Sequence, residues 1–207
     1  MILHHTFKDQ LNLPDYIISE IEFYKNNSFQ DKNEELYKKF NFIGYKDRIL
    51  KKNGQEYPST KSDRTPLNGQ SQAWVKANIC KEFSECSYSS TFPTSQSHGP
   101  HTDITRLWLL MYIVDAGGEQ VENCFWRQKG YDFLRLENKP VVVCDYSELE
   151  LVESVQFPVR TWVLFNTKVL HSVENINRAR ISIQIGVNDL NHLHQSFLDK
   201  IEKIKKL

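Results

Sequence analysis

The chain carries no excess charge of either sign: Lys and Arg together number 26, and so do Asp and Glu. Nucleic-acid binders neutralise phosphates with a basic excess or stripe, and none is evident here, which argues against a nucleic-acid partner. Cysteine is scarce. The four present, Cys80, Cys86, Cys124 and Cys144, form no C-x-x-C pair, and their spacing fits neither a zinc ribbon nor a dense disulfide framework. Free thiols and a cytoplasmic setting are expected. Long apolar runs are missing too. The longest, residues 107–114, has eight residues, far short of the roughly 20 that a membrane-spanning helix needs. Residues 1–10 show no basic region followed by an apolar stretch, so no secretory signal is expected. There is no internal repeat and no low-complexity segment.

Aromatics, in contrast, make up 12% of the 207 residues, which suits a sheet-rich core and a lined pocket. The length predicts one domain, 1–207, with a substantial core. A short strand and a turn are expected in residues 1–13. Pro14 suits a first helical turn, and Ile17, Ile21 and Tyr24 follow at helical spacing, predicting a helix over 14–26. Asp31 suits the cap of a second helix with Leu36, Tyr37 and Phe40 on one face. Residues 44–70 read as a long loop with at most a short strand near 48–50, and Trp74, Ala77 and Cys80 place a helix over 71–83. Residues 84–100 read as irregular.

The pattern then turns to β. Strands are expected at 105–114, 121–127, 139–144, 154–157, 161–165 and 180–187, with turns at Gly117-Gly118 and Lys129-Gly130. Many short strands between turns favour a sandwich or barrel, with a two-sheet jelly roll available. The tail returns to helical spacing through Leu190, Leu193, Phe197, Ile201 and Ile204, an apolar stripe expected to dock on its own domain.

The chemistry-bearing stretch is His101-Thr102-Asp103. On a strand, residues i and i+2 point the same way, so an imidazole nitrogen and a carboxylate oxygen can grip one cation from one side. His171, at the end of an apolar strand, offers a third donor. Two His and one carboxylate on one face of an iron leave three positions open, the facial triad of non-haem Fe(II) oxygenases. An H-x-D by itself is a weak motif. Here Gly99-Pro100 precedes it, an apolar strand follows it, and Arg180 and Ser182 sit in R-x-S form nine positions after His171.

With those features the stretch over about 95–187 resembles the iron(II)- and 2-oxoglutarate-dependent dioxygenases. It looks nearest to small hydroxylases of the proline-hydroxylase and aspartyl/asparaginyl-hydroxylase type. The resemblance implies a mainly β fold, a double-stranded β-helix (jelly roll, cupin-like), with N-terminal helices and a C-terminal helix. It divides the chain into helical support and loops over 1–94, the jelly-roll core over 95–187 and the C-terminal helix over 188–207. It also implies that His101, Asp103 and His171 bind Fe(II) and form the catalytic centre. Arg180 would hold the far carboxylate of the cosubstrate 2-oxoglutarate, and Ser182 would add a hydrogen bond. O2 and 2-oxoglutarate would be consumed, succinate and CO2 released, and a small molecule, amino acid or peptide side chain hydroxylated.

Several residues have rival roles. His98 is a weaker candidate ligand, since Gly99 and Pro100 follow it; Arg178 is the rival to Arg180. Arg106 either meets a substrate carboxylate or makes an ordinary ion pair. Tyr112 and Trp126 either wall the pocket or pack in the core. Other functions stay open: a non-catalytic metal-binding jelly roll, a nucleobase-demethylating oxygenase on the same scaffold, and a hydrolase or isomerase using the metal as a Lewis acid.

Overall fold

The structure is a computed structural model, and it describes residues 3–8, 11–27, 48–59, 62–91, 97–103, 105–133 and 141–205. The second helix expected after Asp31 lies outside the described residues.

Twelve strands are described: β1 (His4–Phe7), β2 (Ile49–Lys52), β3 (Gln55–Pro58), β4 (Ser62–Pro66), β5 (Glu85–Thr91), β6 (His98–His101), β7 (Trp108–Asp115), β8 (Glu122–Gln128), β9 (Leu149–Val155), β10 (Trp162–Asn166), β11 (Leu170–Glu174) and β12 (Arg180–Val187). They form a six-stranded sheet of order β1-β10-β7-β12-β5-β4, a four-stranded sheet of order β6-β11-β8-β9, and the hairpin β2-β3. In chain order from β5 to β12, the first strand pairs with the eighth, the second with the seventh, the third with the sixth and the fourth with the fifth, all antiparallel. A long hairpin wound over itself into two facing sheets has this pairing, so the fold is a double-stranded β-helix. β1 and β4 extend the larger sheet at its two edges.

Alternation along the strands divides the core into layers. Tyr88, Leu110, Tyr112, Ile181, Ile183 and Ile185 point outward from the larger sheet and are covered by helices. In the first helix, α1 (Asp15–Asn27), the Pro14 carbonyl accepts from the Ile17 and Ile18 amides, and Ile17 and Ile21 are buried. The second described helix, α2 (Gly69–Asn78), is capped by the Asn68 side chain, which accepts from the Ser71 amide. Buried Glu20 accepts from the Asn68 amide and the Ser71 hydroxyl, tying α1 to α2. The last, α3 (Gln195–Lys205), buries Phe197 and Ile201, and Phe197 meets Phe7 and Trp162 edge-on. The C-terminal stripe therefore docks on its own domain. Between the two sheets lie Leu109, Met111, Ile113, Phe125, Val163 and Phe165. Trp126 faces the other way, off the smaller sheet, with its indole N–H on Ser172 Oγ at 2.9 Å.

Several expectations are corrected. The supposed loop over 44–70 contains three strands, and Asn53-Gly54 makes the β2-β3 turn with φ of 54° and 75°. Asn-Gly is the strongest short-range hairpin signal, because both turn residues need positive φ. The supposed irregular stretch 84–100 holds β5 and β6. Residues 141–145 make only single-residue bridges, to His101 and Lys51, rather than a strand. β9 ends at Val155, so Phe157 lies past it, and α2 stops at Asn78 rather than 83. All four cysteines are free. Burial pushes the Cys80 and Cys124 thiols up to about 11 and Cys86 up to about 12. Among the described residues no helix is long and apolar enough to cross a membrane.

Candidate metal centre

Across the smaller sheet His171 of β11 faces His101 of β6 as its direct cross-strand partner. The two rings lie 4.5 Å apart, centre to centre. Each ring is oriented by its own backbone. His101 Nδ1 donates to the Gly99 carbonyl at 2.8 Å, and His171 Nδ1 donates to the Val169 carbonyl at 2.9 Å. A carbonyl only accepts, so both Nδ1 atoms carry the proton and both Nε2 lone pairs are free for a metal. That is the usual way a ligating His is fixed.

Asp103 reaches the pair by a different route from the one its spacing implies. β6 ends at His101, so Asp103 is off the strand. The turn between β10 and β11 holds it. The Asp103 amide donates to the Thr167 carbonyl at 3.0 Å, the buried Lys168 ammonium donates to the Asp103 carbonyl at 2.8 Å, and Thr167 Oγ1 donates to the Arg106 carbonyl at 2.7 Å. Likewise His171 does not close a strand running from 162; that turn separates two strands, and His171 is the second residue of β11. Nothing in H-x-D announces Thr167 or Lys168. Lys in a turn next to a strand is ordinarily a surface residue, and only burial gives it this role.

The carboxylate is divided between two tasks. Arg106 Nε donates to Asp103 Oδ2 at 2.6 Å, while Oδ1 lies 3.8 Å from His101 Nε2. The ligand atoms of His101, Asp103 and His171 lie within 4.8 Å of one another. Two metal–ligand bonds of about 2.1 Å span up to about 4.2 Å, so the His101–Asp103 spacing suits one ion. The donor set, two neutral imidazoles and one carboxylate with positions left over, fits iron(II). Among the described residues no fourth His, Cys, Asp or Glu joins the group. His98 lines the same cavity with its ring 4.8 Å from that of His101, but stands outside the cluster.

Burial alone would raise the Asp103 carboxyl. The Arg106 guanidinium, with the two His rings, outweighs it and holds Asp103 well below the carboxylate range. Both histidines are lowered, His101 strongly, because burial disfavours the imidazolium; for His101 the neighbouring His171 and His98 add to this. A base lowered on folding is protonated first in the unfolded chain, so stability rises with pH between its folded pKa and its ordinary value of 6.5. The metal-free protein is therefore expected to lose stability on acidification below 6.5, by up to about 1.4 kcal/mol per pH unit for each His. Asp103 works in a lower window, giving stability above its ordinary value of 3.8 that is lost only as pH falls through its depressed folded value. Urea unfolding of metal-free protein at pH 7.5 and 5.5 measures the histidine effect, and His171→Gln should reduce it while His101 still contributes. Equal stability at the two pH values would contradict the assignment.

From the triad a cavity runs between the sheets, lined by Leu109, Met111, Phe125, Phe157 and Phe165 and by polar Asn123, Arg180, Ser182 and Gln184. Arg180, at the start of β12, is only 5% exposed. Its guanidinium donates to Asn123 Oδ1 at 3.0 Å and to the Ala116 carbonyl at 3.3 Å, two neutral acceptors. Burial pulls it down to about 10. Gly117 makes room for it: a Cβ there would sit 2.8 Å from the Arg180 Cβ, on a backbone with φ of +87°. Arg178 is mostly exposed and pairs with Asp115 at 3.2 Å. Arg106 makes the ion pair, with Asp103 and with Glu85 at 3.1 Å. Tyr112 and Trp126 pack on the outer faces of the sheets and do not wall the cavity.

No family model matches the chain, and no curated protein matches it. Among solved structures it is similar to an oxidoreductase of the 2OG-Fe(II) oxygenase family from Burkholderia pseudomallei, at 8% identity over 89% of this chain and 87% of that one, with a TM-score of 0.46. It is also similar to E. coli ycfD, at 9% identity over 98% of this chain and 54% of that one, with a TM-score of 0.37. The chain thus spans about half the length of ycfD.

Proposed function

We propose that the chain is an Fe(II)- and 2-oxoglutarate-dependent dioxygenase that hydroxylates a small molecule, amino acid or protein side chain. The observation that carries this reading is the pairing of a three-ligand centre with a buried guanidinium in one cavity. A metal that kept only a structural role would want a closed fourth ligand. A buried Arg bonded only to neutral acceptors calls for an anion with two oxygens to accept its parallel N–H donors. The chelating end of a 2-oxo acid at the metal and its far carboxylate at Arg180 answer both demands.

His101, Asp103 and His171 would hold the iron, and Ser182, one step along the same face as Arg180, would add a hydroxyl donor. Bound iron with 2-oxoglutarate and O2 would supply the oxidation, 2-oxoglutarate leaving as succinate and CO2. The protein's own residues prepare for this. Asp103 brings negative charge to the metal, and Arg106 keeps its second oxygen occupied so that one oxygen is presented. The backbone bonds of Gly99 and Val169 hold both imidazoles in the right tautomer. Phe125, Phe157 and Phe165 keep water from the cavity wall.

Anaerobic Fe(II) protein should gain a visible absorption band when 2-oxoglutarate is added, with binding near one equivalent by calorimetry. No spectral change and no binding would bring the reading down and favour a metal-binding jelly-roll module. The balanced charge supports an amino-acid or small-molecule substrate over a nucleobase in a polynucleotide.

A further inference from the structure

From the cavity mouth we infer that the substrate presents a carboxylate, and that Arg64 on β4 receives it. The inference rests on the oxygenase reading and adds the chemical class of substrate. β4 is not one of the eight wound strands; it is an added edge strand, paired to β5. Its register sets Ser62 opposite Thr91 and Arg64 opposite Ser89, and β5 in turn sets Ser89 opposite Ser182 of β12. Arg64, Ser89 and Ser182 therefore form one cross-strand row on the face that carries Arg180 and Gln184. The middle of that row is a serine, short enough to leave the space above it to the long Arg64 side chain. Arg64 and Ser62 line the same cavity as His98, His101, His171 and Arg180. The side chain is 39% exposed, so it stands at the mouth and not in the interior.

Charge balance points the same way. Among the described residues the cavity is lined by three arginines, Arg64, Arg106 and Arg180. Two carboxylates are bonded to them, Asp103 and Glu85. A divalent metal and the dianionic cosubstrate would cancel each other, so among the described residues one positive charge is left over. The surplus belongs to Arg64. Asp103 is taken by Arg106 at 2.6 Å and the metal, and Arg180 is taken by the cosubstrate. Glu85 accepts from Ser87 at 2.7 Å and from Arg106 at 3.1 Å, and touches Arg64 only at 3.3–3.4 Å. A guanidinium so loosely held at an open mouth can turn to a substrate carboxylate and meet it with two parallel bonds.

The test uses the full chain loaded with Mn(II) and saturated with 2-oxoglutarate. Two probe panels are titrated by calorimetry: free L-amino acids beside their carboxamides, and blocked tripeptides with a central Asp or Glu beside their Asn or Gln counterparts. At least one carboxylate probe should bind the parent tenfold or more tightly than its carboxamide. Free acids binding would identify a small-molecule substrate, and acidic peptides alone an acidic side chain. Arg64→Gln should bring the carboxylate's affinity down to that of the carboxamide and leave metal content and 2-oxoglutarate affinity within about twofold of the parent; Arg64→Lys should fall between. Failure of the parent to bind 2-oxoglutarate would remove the oxygenase reading and this inference with it. With 2-oxoglutarate binding intact, equal binding of acid and amide, no binding of either panel, or an Arg64→Gln variant that binds the acid as the parent does would overturn the role of Arg64 alone.

Discussion

Replacing His101 or His171 by Ala is expected to reduce metal content from about one equivalent per chain to a small fraction of it at micromolar metal. Changing an outer partner of a ligand already costs roughly 10–100-fold in affinity. Removing one of three ligands should cost more, on the order of 1,000-fold, or about 4 kcal/mol at 1.4 kcal/mol per decade. Asp103→Ala should do this and something further. It strips the Nε partner from Arg106, which is 2% exposed. Removing one member of a buried ion pair costs about 3–5 kcal/mol, because the other charge is left behind. For a chain of this size that corresponds to a fall in Tm on the order of 10 °C. The two His variants, measured metal-free, should melt much closer to the parent. Metal analysis after Fe(II) or Mn(II) loading, with thermal unfolding of the metal-free proteins, separates the two effects. Parental metal binding in all three variants would remove the triad. Parental stability in Asp103→Ala would show that the Arg106 pair does not hold that segment.

Arg180→Met is expected to leave metal content near normal and to weaken 2-oxoglutarate binding by on the order of 100-fold or more. Arg180 stands outside the group of ligand atoms and on another strand, β12, so the two affinities should depend on different residues. A carboxylate buried without its charged partner loses on the order of 3–5 kcal/mol, and 1.4 kcal/mol is a decade. Met keeps much of the length and packing but has no donors. It would also leave Asn123 Oδ1 and the Ala116 carbonyl short of a partner, a stability cost of about 1–3 kcal/mol that should show in the melting curve but not in metal content. Arg180→Lys should lie between, since it keeps charge without the planar fork. Calorimetry on the anaerobic Fe(II) or the Mn(II) protein reads the difference. Unchanged 2-oxoglutarate affinity in the Met variant would take Arg180 out of the site, and Arg178, already paired to Asp115 at the surface, would offer little in its place.

Much of this site was legible in one dimension. His101, Asp103 and His171 were selected by residue type and spacing, and the structure brings their ligand atoms together. The β-rich second half, the first helix and the docked C-terminal stripe followed from apolar periodicity, because each buries one face against a layer that periodicity can see. The misreadings have a common cause. β5 reads Glu-Cys-Ser-Tyr-Ser-Ser-Thr, a polar string, yet it is a central strand. Its outward side chains, Cys86 and Tyr88, pack under helices, while Ser87, Ser89 and Thr91 lie on the opposite face, where Ser87 is bonded to Glu85 and Thr91 lines the cavity. Strand scales reward apolar content, so a strand with one face on a polar pocket is undervalued, although the alternation of Cys86 and Tyr88 with Ser87 and Ser89 was there to find. The β2-β3 hairpin was likewise announced by Asn53-Gly54 and obscured by the Lys, Gln and Glu around it.

The sequence by itself determined which atoms are available: two imidazoles, a carboxylate and an R-x-S arginine, set among short strands between turns that favour a sandwich or barrel. Those are matters of residue type and of period along the chain, and both are local. Tertiary structure alone decided what each charged group is for. Arg106, a candidate for substrate, is bound to Asp103 three residues before it, on a stretch that Thr167 and Lys168 hold in place from the turn between β10 and β11. Tyr112 and Trp126 leave the cavity because strand register turns them outward. Arg64 enters it because β4 joins β5 at the sheet edge, across a row whose partners lie more than twenty residues and then more than a hundred residues away along the chain. Register between distant strands is fixed by the packing of the whole core, and no local pattern around residue 64 carries that information.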